Sequence, residues 1–109
     1  FEMRPYKMEA SWVALYKKGN FCHIHEHGHV DISGVYYYDT IGEDGNLFFI
    51  CPTAGLLSSP PFRQRSIIHE EPPEMGKIVL FPGWLHHGVE LNTTDSTRIC
   101  VAFNIVFDR

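Results

Sequence analysis

Short apolar runs, rich in β-branched and aromatic residues and closed by glycine, proline, asparagine or aspartate, recur along the whole chain. That is the pattern of strands separated by turns, and no stretch carries a convincing helical pattern. It predicts strands at Trp12–Lys17, Phe21–His25, Ser33–Asp39, Leu47–Cys51, Ser66–Glu70, Lys77–Phe81, Gly88–Leu91 and Arg98–Phe107. About eight short strands suit a double-sheet jelly roll, so the expected fold is all-β with little or no helix. Lys18-Gly19-Asn20 reads as a hairpin-type turn, and Gly42 to Asn46, with Asp44-Gly45 inside it, as another. The longest irregular stretch runs from Pro52 to Arg65. Loops of that length in compact domains are often functional or mobile, and this one, with Arg63 and Arg65, is a candidate lid.

Composition narrows the picture. The chain has 109 residues, the size of one domain, and neither proline-rich break leaves enough chain on each side for two. With 44% hydrophobic and 14% aromatic residues it can build a core. A net charge of −4, with basic residues scattered rather than striped, gives no sign of a nucleic-acid partner. The three cysteines, Cys22, Cys51 and Cys100, are odd in number and form no C-x-x-C pair. A disulfide framework is therefore not expected, and a reducing, cytoplasmic setting is. No apolar run approaches the roughly 18 residues of a membrane helix, and no signal peptide is evident. The start at Phe1 leaves room for residues upstream. Exposed sheet edges make a homodimer conceivable.

Histidine supplies the candidate chemistry. Four of the seven histidines fall in His23-Ile24-His25-Glu26-His27-Gly28-His29, and two more are adjacent, His86-His87. A spacing of two is the period of a strand, so an extended segment would turn His23, His25, His27 and His29 to one face. Two such imidazoles can share an ion at about 2.0–2.2 Å each, with a third from a distant strand. A solvated polar strand is the plainer alternative. Imidazole suits Zn, Cu, Fe and Ni, and the absence of clustered cysteine argues against a structural zinc site. A catalytic ion with open positions fits better.

These residues carry a resemblance. The stretch from His25-Glu26-His27 to Ser33-Gly34-Val35-Tyr36-Tyr37 is similar to H-x-H-P-x-x-x-x-S-G-V-Y-Y. This is the hallmark of a small group of 2-oxoglutarate/Fe(II) oxygenases with a double-stranded β-helix, or cupin-like, core. Upstream, Ser11-Trp12-Val13-Ala14 and Lys18-Gly19-Asn20 match the group's aromatic strand and turn. Gly45 to Pro52 matches G-x-L-x-F-x-x-P. Gly76, Phe81-Pro82, His87 and Val89 match the next block, and Arg98 to Asn104 matches R-x-S-x-x-F-N. The likeness covers Ser11 to Asn104.

The resemblance implies Fe(II) as the metal and 2-oxoglutarate as the co-substrate, with hydroxylation of a small-molecule or macromolecular substrate. It implies His25, His27 and His87 as ligands, His87 being preferred to His86 because it directly precedes the Gly-Val step. It implies Arg98 as anchor for the distal carboxylate, a task for which a guanidinium fork suits better than lysine. A surface arginine in an ion pair is the alternative for that residue. Two positions depart from the pattern: Gly28 replaces proline, and Cys100 replaces serine, which weakens a donor near the anchor. Non-haem iron more often takes two histidines and a carboxylate, and Asp31 is the nearest candidate carboxylate, with turn capping as its ordinary role. Tyr36 and Tyr38 are candidates for binding the co-substrate carboxylate, with Tyr37 on the opposite face. Asn104 shares the face of Arg98 and Cys100. Trp12 and Trp84 are expected in the core or pocket wall, and His69 on a surface strand. Two other functional classes remain open: a three-histidine cupin enzyme that needs no 2-oxoglutarate, and a non-catalytic metal or ligand binding module.

Overall fold

The computed structural model describes residues 4–53 and 67–108. Eight strands follow one another: β1 (Tyr6–Tyr16), β2 (Cys22–His25), β3 (Ile32–Asp39), β4 (Leu47–Ile50), β5 (Ile68–Glu71), β6 (Ile78–Pro82), β7 (His87–Val89) and β8 (Arg98–Phe107). They form two four-stranded sheets, ordered β1-β8-β3-β6 and β2-β7-β4-β5. All pairings are antiparallel. Successive strands alternate between the sheets at the start and the end of the chain, which is how a jelly roll winds. No helix occurs among the described residues.

The eight predicted strands are present, with shifted ends. β1 begins at Tyr6, six residues before the predicted start. Lys7 and Glu9 lie on this edge strand, and its outer half is solvated, so the apolar signal fades there. The candidate lid lies mostly outside the described residues.

Between the sheets, Leu47, Phe49 and Phe81 are buried, with Val35, Val79, Leu85 and Val89 packed against them. Burying each phenylalanine contributes roughly 1.5–3 kcal/mol. Along β8, strand alternation turns Arg98, Cys100, Ala102 and Asn104 inward, where they line a cavity of about 110 Å³. An inward face with an arginine and an asparagine on it is not an ordinary core. Buried polar groups cost free energy unless they are satisfied.

Two polar loops hold the ends of this face. Asp44 is fully buried and accepts from the Thr40 hydroxyl at 2.6 Å and from the Ile41 N–H at 3.2 Å. Asn92, also fully buried, donates from Nδ2 to the carbonyls of Tyr16 (2.9 Å) and Ser96 (2.8 Å), fastening the loop before β8 to the end of β1.

Candidate metal centre

β2 pairs with β7 so that His25 stands opposite His87. Their ring centroids are 4.3 Å apart. His27 completes the group, its ring 5.0 Å from that of His25 and 5.3 Å from that of His87. One ring nitrogen from each lies within 4.8 Å of the other two, close enough to share a metal ion. Two of the rings are oriented by backbone. Nδ1 of His25 lies 2.7 Å from the His23 carbonyl, and Nδ1 of His87 lies 2.8 Å from the Leu85 carbonyl. A carbonyl only accepts, so each Nδ1 carries the proton and each Nε2 keeps its lone pair for a metal.

The histidine segment is not one extended strand. β2 ends at His25, and the chain turns through Gly28 and His29. His23 stacks edge-on with Phe21 at 4.9 Å, and His29 lies 3.0 Å from Glu9 on the surface. The shared face predicted for four histidines thus holds two. His27 reaches the cluster because its loop is pinned: its N–H donates to the Gly83 carbonyl at 2.7 Å, and Val30 N–H donates to the His27 carbonyl at 3.0 Å. Gly83 is pressed against this loop. A Cβ there would lie 2.0 Å from the Val30 carbonyl oxygen and 2.9 Å from that of His27, a clash with backbone that cannot swing away. Gly83→Ala is therefore expected to push the His27 loop outward and weaken metal binding with little change in overall fold. Metal titration beside a circular dichroism spectrum checks it.

Asp31 does not join the cluster, a correction to its candidacy as carboxylate ligand. Its Oδ2 accepts from the Phe107 N–H at 2.8 Å, at the end of β8. Glu26 is exposed, and His86 is exposed beside the buried His87. Among the described residues, the one group of three or more metal-binding side chains is His25, His27 and His87.

Burial governs the protonation of this cluster. His87 is pushed down to about 4 by desolvation, with further lowering from His25, His27 and His86 partly offset by the hydrogen bond to Leu85. His27 is also lowered, again first by burial. Both rings are thus neutral, ready to ligate, at neutral pH. An unfolded histidine protonates near pH 6.5. Between about 6.5 and 4 the unfolded chain takes a proton at His87 that the folded chain refuses. The metal-free protein should therefore lose stability as the pH falls through that window. Melting temperatures measured from pH 7 to pH 4 check this; a rise on acidification would contradict it.

The second polar focus of the cavity is Arg98, 1% exposed. Its Nη1 donates to the Gly45 carbonyl at 2.6 Å, and its guanidinium lies 4.2 Å from the Tyr16 ring centroid and 5.9 Å from that of Tyr37. Gly45 holds φ +109°, and a Cβ there would meet the Glu90 carbonyl oxygen at 2.5 Å, so the turn that offers its carbonyl needs glycine. Nε of Arg98 has no hydrogen-bond partner among the described residues. None of the ion pairs among the described residues includes Arg98, so the surface ion pair considered for it is not what the fold builds.

The tyrosine assignment needs correction. Tyr37, not Tyr36 or Tyr38, lines the cavity; Tyr38 is 62% exposed, and strand alternation turns Tyr36 to the face opposite Tyr37. Alternation separates Tyr37 from Tyr36 and Tyr38, but it does not say which of the two faces turns inward. Tyr16, at the end of β1, had no signal of its own. Burial pushes both Tyr16 and Tyr37 up to about 12, so both are neutral phenols. Cys100 is buried beside them, its Sγ 3.7 Å from the Ala14 carbonyl, and burial raises its thiol. Trp12 lines the cavity, whereas Trp84 is exposed, against the expectation of a pocket wall. His69 is exposed on β5, 2.7 Å from Glu71.

Known proteins share this architecture. Residues 10–104 match the family described as "Putative 2OG-Fe(II) oxygenase". No curated protein matches the chain. Among solved structures, the non-heme α-ketoglutarate-dependent epimerase SnoN from nogalamycin biosynthesis is similar, with 16% identity and a TM-score of 0.73 over 95% of this chain and 48% of that one. A 2OG-Fe(II) oxygenase-family oxidoreductase from Burkholderia pseudomallei gives 13% identity and a TM-score of 0.74 over 95% of this chain and 46% of that one. HygX from Streptomyces hygroscopicus, crystallised with nickel and 2-oxoglutarate, gives 13% identity and a TM-score of 0.68 over 94% of this chain and 58% of that one. The chain thus spans about half the length of the first two and somewhat more of the third.

Proposed function

The chain belongs to the 2OG-Fe(II) oxygenase family, and on that premise we propose that it is the catalytic core of an Fe(II)- and 2-oxoglutarate-dependent oxygenase of the hydroxylase type. One observation carries the reading: a buried guanidinium that forms no ion pair among the described residues lines the same cavity as three convergent imidazoles. A buried cation is costly unless paired. A dianion that chelates an ion at one end and presents a carboxylate at the other would satisfy both.

The residues present fit this pair of ligands. His25, His27 and His87 would hold iron(II), two of them through Nε2 lone pairs already freed by backbone hydrogen bonds. Three neutral imidazoles leave the double positive charge of the ion uncompensated, which favours a dianionic co-substrate. Arg98 would anchor the distal carboxylate, its Nε, without a partner among the described residues, serving as one donor. Tyr16 and Tyr37 flank it as neutral phenols that add no competing negative charge. Cys100 stands beside it as a weak donor where serine would be a stronger one. When bound, iron and 2-oxoglutarate supply oxidative decarboxylation coupled to substrate hydroxylation. The walls of Leu47, Phe81 and Val89 keep that chemistry dry.

Free cysteines and an iron(II) requirement support a reducing, cytoplasmic setting. Among the described residues no helix is long and apolar enough to cross a membrane. A three-histidine enzyme that does not use 2-oxoglutarate is the second reading, favoured because no carboxylate joins the three histidines among the described residues. Anaerobic loading with iron(II), then air, ascorbate and 2-oxoglutarate, separates the two. Succinate should form in proportion to oxygen consumed; oxygen uptake without succinate would favour the second reading.

A further inference from the structure

The outer face of the β1-β8-β3-β6 sheet has no charged residue across its middle. Val35 and Val79 pack inward against the core, so strand alternation turns their neighbours Tyr36, Ile78 and Leu80 outward. The register then sets out the face row by row. Val13, Val101, Tyr36 and Ile78 stand side by side across the four strands. The next row is Ser11, Phe103, Gly34 and Leu80. The one after it is Met8, Ile105, Ile32 and Pro82. Only Ser11 and Tyr36 bring a polar group. Val13 is 64% exposed, and Ile78 and Leu80 are each 58% exposed.

Two local features keep this face apolar and level. The register of β1 shifts between Met8 and Ala10, with Glu9 as the extra residue. Unbroken alternation would put Glu9 and Lys7 on this face and take Met8 and Tyr6 off it. Glu9 is instead drawn aside to His29, 3.0 Å away. In the middle of the sheet, a Cβ on Gly34 would lie 2.2 Å from the Phe103 ring and 2.9 Å from Leu80. The Phe103 ring therefore reaches across the neighbouring strand rather than standing off the sheet.

Tyr6 with Phe107 extends the rows at one end, and Leu15 with Ile99 at the other, where Asp39 beside Ile99 begins a charged rim. Strand spacing and rise make the whole face roughly 20 Å by 25 Å, or about 500 Å². That is near the top of the roughly 300–600 Å² that the largest apolar patch on a monomer covers. Two such faces together would bury roughly 1,000–1,200 Å² with their side chains interlocked, about the least that a specific interface needs. Charge favours a second copy as the occupant. At a net charge of −4 the chain repels its own copy in general, whereas this face has no charge in its middle to oppose the contact. Sheets pack face to face about 10 Å apart with their strands within about 30°, a geometry open to a sheet and its own copy.

We propose that the chain forms a two-fold dimer in which the outer faces of two β1-β8-β3-β6 sheets pack on each other. His25 and His87 belong to the other sheet and His27 to the loop after β2, so neither metal centre is part of the interface.

Sedimentation equilibrium of the full chain tests this. Between about 1 and 100 μM the wild type should have twice the monomer mass. Val13→Glu combined with Leu80→Glu brings two carboxylates from each copy into the interface and should weaken the dimer at least about 100-fold. Both positions are exposed in the single chain, so circular dichroism and nickel affinity should match the wild type. Val13→Thr combined with Leu80→Thr keeps good strand formers and should weaken the dimer by a smaller factor. Ile24→Glu combined with Leu91→Glu changes exposed apolar residues outside this sheet and should leave the dimer intact. A wild type that stays monomeric at about 100 μM overturns the proposal and assigns the face to a covering element of another kind. A dimer that survives the two glutamates in folded protein, or that the Ile24 and Leu91 changes disrupt equally, overturns it as well. Should the glutamate variant lose its fold, unchanged dimer affinity in the threonine variant does the same. The oxygenase reading stands or falls separately, on succinate formation.

Discussion

Replacing His87 with alanine should strip the protein of iron, while replacing its neighbour His86 should not. The two residues are adjacent, yet His87 is buried with its Nδ1 proton tied to the Leu85 carbonyl, and His86 is exposed. Losing even an outer partner of a metal ligand costs about 10–100-fold in affinity, so losing the ligand itself should exceed that. Iron content after desalting, and iron(II) affinity by competition with a chromophoric chelator, should fall more than 100-fold for His87→Ala. Both should match the wild type for His86→Ala. Equal losses in the two variants would show that the motif had been aligned to the wrong histidine.

The second large effect concerns Arg98. Arg98→Met should weaken 2-oxoglutarate by roughly 30- to 4,000-fold, the range for truncating one member of a buried charged pair. The same change should leave the ligand-free protein as stable as the wild type, or more stable. The guanidinium is buried with no ion pair among the described residues, and exchanging such a charge for an apolar side chain of similar size is often neutral or stabilising. Arg98→Lys should rescue little, because a lysine offers a point charge where the site has room for a planar fork. Chemical denaturation of the metal-free protein, beside calorimetry with 2-oxoglutarate, reads both effects. A residue kept only for structure would show the opposite pattern, with stability lost and binding spared.

Much of this was legible in the sequence, for physical reasons that also explain the failures. Short β-branched and aromatic runs between turn residues located all eight strands, because strand alternation and turn chemistry are local. Two-residue spacing flagged the histidines, but it could not see that β2 stops at His25. The loop bringing His27 back is held by Gly83, more than fifty residues away, a contact that leaves no local trace. Asp31 is close in sequence to the histidines but is drawn off to the backbone of Phe107, which a distant strand delivers. For the tyrosines, alternation correctly separated Tyr37 from Tyr36 and Tyr38. Which face was inward depended on Ser33 and Val35 lining the cavity, which is a tertiary fact. Tyr16 was invisible because its role comes from lying beneath Arg98, a cross-strand partner in β8.

The most direct measurement is a crystal structure of the protein loaded anaerobically with iron(II), with the metal located by anomalous scattering at the iron edge. A single iron bound by His25, His27 and His87, with Nε2 as the donor of His25 and His87 and no protein carboxylate among its ligands, is the predicted result. Iron held elsewhere, or coordinated by Asp31 or Glu26 in place of one of these imidazoles, would contradict it.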